Sequence, residues 1–162
     1  MSNKNFCCTC QCNPCCCCIG PTGPQGPQGP TGQAGGFAPA YGTFIGTHTS
    51  TLAPNTLAPL DAVLSVSPVG IMFTPGSTTV TVLNAGIYRI TYQLISNSQA
   101  YYALFINGAV LPNSTFSSLS NRSNTGTATV ALAAGSTLGI ISLDGNTLAE
   151  LPNAVLDVLR IS

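Results

Sequence analysis

The chain has 162 residues, of which 5% are charged and 44% hydrophobic, and its formal net charge is zero. Four basic residues cannot neutralise a run of phosphates, which excludes nucleic acid as a partner. His48 as the one histidine, with Asp61, Asp144, Glu150 and Asp157 as the carboxylates, leaves too little acid, base or ligand chemistry for an enzyme to be expected. The length suits one domain with a real core, and a mean hydropathy of +0.36 without net charge favours a surface covered by copies of itself.

The first segment, residues 1–19, reads MSNKNFCCTCQCNPCCCCI and holds all eight cysteines: Cys7, Cys8, Cys10, Cys12, Cys15, Cys16, Cys17 and Cys18. It has no hydrophobic periodicity. The dense C-C and C-x-C runs differ from a zinc-finger spacing, where pairs two to four residues apart flank a structured loop. Adjacent cysteines are poor partners for each other, because neighbouring Cα atoms lie about 3.8 Å apart, below the usual disulfide span. Bridges to other chains are the expected outlet, with soft-metal binding, S-acylation or an inert tail as alternatives. No apolar run follows Lys4, so no secretory signal peptide is expected.

The second segment, residues 20–36, contains five consecutive triplets, GPT GPQ GPQ GPT GQA, with glycine at Gly20, Gly23, Gly26, Gly29 and Gly32. Glycine at every third position is required where three polyproline-II chains meet at an axis with no room for a Cβ. A flexible Pro/Gly linker would not keep that period. Five triplets extend over about 45 Å at about 3.1 Å per residue, too short to hold three chains together unaided. Thr22 and Thr31 are hydroxyls open to O-glycosylation.

The third segment, residues 37–162, predicts an all-β domain. Runs rich in Val, Ile, Thr, Tyr and Phe cover 40–47, 62–66, 70–73, 78–83, 87–95, 101–106, 109–111, 127–132, 137–143 and 155–161, separated by Gly, Pro, Asn and Ser. In the run 87–95, Tyr88, Ile90, Tyr92 and Leu94 share one face and Ile87, Arg89, Thr91 and Gln93 the other. Asn107-Gly108 is a two-residue hairpin signal, and Asp144-Gly145-Asn146 is a second turn. No run has a 3.6-residue period, so the expectation is an antiparallel sandwich or jelly roll of nine or ten strands. The charge-free stretch Ile90 to Asn121 is interrupted by Gln93, Asn97, Ser98, Gln99, Asn107 and Asn113, and no membrane span is expected.

Two features point to a surface that meets another subunit. The last run is apolar on both faces, with Val155, Leu159 and Ile161 on one and Leu156 and Val158 on the other, and the Tyr101-Tyr102 doublet puts an aromatic on each side of its strand. Tyr101, Tyr102, Leu156 and Val158 are therefore trimer-interface candidates. The polar stretch Asn113 to Thr125, centred on Arg122 and carrying the sequons at Asn113 and Asn121, is a candidate recognition loop. His48 has no cysteine or serine that the sequence places beside it, and it is expected at the surface. No catalytic motif is present, and no catalytic residue, metal or cofactor is assigned.

A cysteine-bearing N-terminus, collagen-like triplets and a C-terminal β domain together resemble the collagen-like exosporium glycoproteins of Bacillus spores, the BclA type. Within the β domain, Asn84-Ala85-Gly86-Ile87-Tyr88-Arg89-Ile90-Thr91-Tyr92 is similar to that family's Gly-x-Tyr-x-Ile strand. Leu104 to Pro112 is similar to its Asn-Gly hairpin, and Val155 to Ser162 to its closing strand. The resemblance implies a TNF-like, complement-type trimeric jelly-roll head and a structural role at the spore surface, in the exosporium or an appendage fibre. Its implied partners are other copies of the chain and spore coat or exosporium proteins. The chain departs from the family in its few triplets and its cysteine-dense leader, and in these it resembles subunits of spore appendage fibres, joined through N-terminal connectors. Alternatives are a ligand-recognition or adhesion head on a collagen-like stalk and a metal-binding leader.

Overall fold

The computed structural model describes residues 23–26, 39–67, 69–119, 124–148 and 153–162. The chain separates into two units, Met1–Gly35 and Gly36–Ser162. In the first, residues 23–26 are described. They are exposed and carry no regular secondary structure. A Cβ built on Gly23 or Gly26 meets no atom within 4 Å. That is the expected state of one chain, because the crowding that excludes side chains from a triple helix comes from the other two. The eight cysteines, Gly20, Gly29, Gly32, Thr22 and Thr31 lie outside the described residues.

The second unit is all-β. Its described strands are β1 (Tyr41–Gly46), β2 (Thr51–Leu52), β3 (Thr56–Leu57), β4 (Ala62–Val66), β5 (Ile71–Met72), β6 (Val80–Val82) and β7 (Gly86–Leu94). They continue with β8 (Ala100–Ile106), β9 (Ala109–Val110), β10 (Phe116–Ser118), β11 (Asn124–Leu132), β12 (Thr137–Ser142), β13 (Asn146–Thr147) and β14 (Ala154–Arg160). A five-stranded sheet in the order β11-β7-β14-β1-β4 packs on a second sheet in the order β10-β8-β12-β6-β5, to which β3 and β9 add at β12 and β8. Every pairing is antiparallel. The result is a jelly-roll sandwich.

Ten strands fall on the ten predicted runs. The four others, β2, β3, β10 and β13, are two or three residues long, too short to show a period of two. The predicted run 78–83 narrows to Val80–Val82 because Ser77 turns the chain first: its hydroxyl accepts from the Thr79 N–H at 3.1 Å and donates to the Thr79 carbonyl at 2.9 Å.

The inner face of β7 fills the core. Tyr88, Ile90, Tyr92 and Leu94 are buried while Ile87 and Arg89 are exposed, as the alternation requires. Tyr92 is the hub between the sheets. Its ring sits edge-on to Tyr102 of β8 at 6.3 Å and to Phe116 of β10 at 5.9 Å, and its hydroxyl donates to the Ser114 carbonyl. Gly126 pairs with Tyr92 across β11 and β7, and the phenol ring occupies the space a side chain there would need. At the other end Phe44 of β1 tilts against Phe73 at 4.8 Å.

The turns explain the registers. Asn107 and Gly108 both have positive φ, 49° and 86°. These values match the twist of a two-residue hairpin and pair Ile106 with Ala109. The Asn107 side chain then accepts from the Thr137 N–H at 2.8 Å and donates to the Ser136 hydroxyl at 3.2 Å, which fixes the hairpin against the start of β12.

Three of the four interface candidates are corrected by this packing. Tyr102, Leu156 and Val158 are buried in the core of a single copy, whereas Tyr101 is exposed. Each parity of β14 holds apolar residues and one charge, Asp157 on one and Arg160 on the other, so composition could not decide which faced inward. The register does: Leu156 pairs with Phe44 and Tyr92, Val158 with Gly42 and Ile90, all on the inner side. The outward residues of this strand are Val155, Asp157 and Leu159.

Candidate functional site on the five-stranded sheet

Successive pairings lay the outward residues of the five-stranded sheet in straight rows. One row runs Tyr41, Leu159, Arg89, Thr129; the next Thr43, Asp157, Thr91, Thr127; the next Ile45, Val155, Gln93, Thr125. These twelve positions hold two charges, Arg89 and Asp157, on neighbouring rows and adjacent strands. The rest are hydroxyl-bearing, aliphatic or aromatic apart from the Gln93 amide, and Tyr41 is exposed. Tyr41, Thr43, Arg89, Thr91, Asp157 and Leu159 border a shallow depression of about 290 Å³.

This face is broad, nearly uncharged and built on backbone that pairs on both sides at β1, β7 and β14, so the strands that carry it are held in register. Thr91 and Thr127 approach to 3.5 Å across strands. Such a surface can bury area against another flat surface. It has no nucleophile with an adjoining base. Among the described residues no group of three or more His, Cys, Asp or Glu could hold a metal ion.

A second polar feature lies at the end of β1. His48 Nδ1 is 2.9 Å from Asp61 Oδ2, with the His48 side chain exposed. The same carboxylate oxygen accepts from the Thr47 N–H at 2.8 Å. The β1–β4 pairing carries Ile45 to Ala62 and so brings the two groups together from 13 positions apart. Sequence reasoning left His48 alone because that register could not be read from spacing. Burial by itself would push the Asp61 carboxyl up, but the Thr47 N–H, the imidazole and the Thr47 hydroxyl outweigh it and hold the group below its ordinary value. The pair fastens a loop.

The candidate recognition stretch is more ordered than its polarity suggests. Phe116–Ser118 is a strand on β8, and Ser114 is buried, donating to the Leu111 carbonyl at 2.7 Å and accepting from the Leu104 N–H at 3.1 Å. Asn113 is exposed with a φ of 60°. Asn121 and Arg122 lie outside the described residues.

No family model matches the chain, and no curated protein matches it. Solved structures do. Murine APRIL at pH 8.5 shares 12% identity with a TM-score of 0.63, over 76% of this chain and 100% of that one. The globular domain of the zebrafish complement 1qA protein shares 18% with a TM-score of 0.59, over 76% and 98%. GITRL from bushbaby shares 19% with a TM-score of 0.51, over 76% and 95%. The fold is therefore the TNF-like and complement-1q-like jelly roll, and at these identities the likeness extends to the fold alone.

Proposed function

We propose that this chain is a non-enzymatic, homotrimeric structural subunit of a spore-surface layer or appendage fibre. The head trimerises through the outer face of the five-stranded sheet, the triplets from Gly20 to Gly32 form a semi-rigid spacer, and Cys7 to Cys18 join the subunit covalently to neighbours or to the coat. The observation that carries the trimer is that face: ordered rows of Tyr41, Ile45, Val155 and Leu159 among threonines, with only Arg89 and Asp157 charged. The triplets support three-fold rather than two-fold association, because a triple helix needs three chains in register.

Two measurements on the full chain test this. Sedimentation in reductant is expected to give the mass of three chains at micromolar concentration; a monomer there would end the trimer reading. On a gel without reductant, material from the native assembly is expected to run as multimers that collapse to monomer when reduced. Monomer in both lanes would remove the cysteine connector. A ligand-recognition head is the second reading, supported by the fold shared with APRIL and the complement 1qA globular domain, and binding to an array of glycans and host proteins would favour it.

A further inference from the structure

Among the described residues, no strand covers one flank of the sandwich. Among the described strands, β4 ends the five-stranded sheet and pairs with β1 alone, and β5 ends the second sheet and pairs with β6 alone. Residues 67–70 link the two directly, so both terminal strands lie on one side of the molecule. The opposite flank is different: there Phe116 of β10 reaches in to pack on Tyr92, next to β11.

This flank is where exposed apolar side chains gather. Val63, Leu64, Val66, Val69, Met72 and Leu83 are between 38% and 68% exposed, and they are half of the large hydrophobic residues exposed among those described. Between the two strands runs a groove of about 370 Å³ walled by Val63, Val66, Met72, Phe73, Pro75 and Leu83. From Ala62 to Tyr88 the sequence has no charged residue and no histidine. Terminal strands are normally guarded by lysine, inward charges or proline. β4, with the sequence AVLSV, has no lysine, inward charge or proline within it, and a bulge at Leu64 is the one irregularity in its pairing with β1.

We infer that this flank is a contact between trimers, in which β4 pairs antiparallel with β4 of a second copy about a two-fold axis. Charge decides the occupant. A partner selected by its charge finds no counter-charge on this surface. A second copy sets each residue near its own twin, and with no charge in the patch that arrangement carries no like-charge repulsion. The free strand edge of β4 is self-complementary in the same geometry, since an antiparallel two-fold satisfies both edges with one set of hydrogen bonds. Six exposed apolar side chains make a small patch beside the roughly 800 Å² per partner of a stable pairwise interface. One contact is therefore weak, but a trimer carries three, and their combination ties trimers into larger assemblies.

The inference rests on the trimeric reading, and the test separates the two. The full chain is sedimented in reductant, which removes disulfide links, over a concentration series from low micromolar upward. It is run beside Leu64→Lys and Met72→Lys, both solvent-facing changes, with circular dichroism confirming that each folds. The wild type is expected to pass from trimer to multiples of the trimer, and each variant to shift that transition at least about tenfold in concentration. A wild type that stays trimeric throughout, as it would if the flank served a foreign partner, overturns the inference, and so do variants that assemble like the wild type. If the wild type instead forms dimers that the lysines dissolve, the flank contact stands and the trimeric reading falls.

Discussion

At the scale of single residues, Tyr92 ties the two sheets of the head together. It is fully buried, contacts an aromatic from each of β8 and β10, and satisfies the Ser114 carbonyl through its hydroxyl. Tyr92→Phe keeps the packing and loses that bond, an expected cost of about 1 kcal/mol. Tyr92→Ala opens a cavity at a cost of about 3–5 kcal/mol. Gly126→Val is expected to resemble the larger change, because the new side chain and the phenol ring need the same volume. Urea unfolding of the reduced chain, followed by circular dichroism, ranks the three. Burial also raises the Tyr92 pKa above 10.0, with the Ser114 hydrogen bond pulling only partly the other way. Asp61 runs in the opposite sense. Its carboxyl is held below 3.8 in the folded chain, so it stabilises the head above the unfolded value, and that contribution fades as pH falls through the folded one. Between pH 5 and pH 3 the wild type should lose stability more steeply than Asp61→Asn; parallel curves would mean that the Thr47 and His48 contacts carry no free energy.

At the scale of elements, the β8–β9 hairpin shows how local chemistry fixes a register. Both central residues need positive φ, and the Asn107 side chain binds the start of β12 on both its oxygen and its nitrogen. Gly108→Val must hold a branched residue in the left-handed region, at about 1–2 kcal/mol. Asn107→Ala loses the tether as well, so it is expected to lower the unfolding midpoint and to speed amide exchange at Thr137; unchanged exchange there would refute the tether. This turn was legible because Asn-Gly between apolar runs has few other uses. So was the inward face of β7, where Arg89 and Gln93 mark the outside. β14 was not legible to the same degree: with Val155 and Leu159 on one parity and Leu156 and Val158 on the other, inside and outside read alike until Phe44 and Tyr92 are placed opposite Leu156. β10 was hidden in a polar run whose one aromatic, Phe116, packs against the core. The His48–Asp61 pair needed a strand register that no local pattern carries.

At the scale of the whole molecule, the scarcity of charge determines how assembly responds to the solvent. With 5% charged residues and net charge zero, copies approach without long-range repulsion or steering, and the proposed trimer interface on the five-stranded face would set only Arg89 and Asp157 against a neighbour. Association of such a head is driven by removal of apolar and hydroxyl-bearing surface from water, a force that salt does not screen. Raising sodium chloride from about 0.05 M to about 1 M, where the screening length falls to about 3 Å, is expected to leave the trimer dissociation constant within about threefold. Replacing chloride by sulfate should tighten it, because sulfate is excluded from the protein surface and strengthens burial. The alternative is that Arg89 of one copy pairs with Asp157 of the next and the interface depends on that pair. Sodium chloride would then weaken the trimer, and Arg89→Glu would abolish it while the exchanged double variant, Arg89→Asp with Asp157→Arg, restored it. Sedimentation in the three salt conditions, followed by the same runs on Arg89→Glu, distinguishes an apolar face from an ionic one.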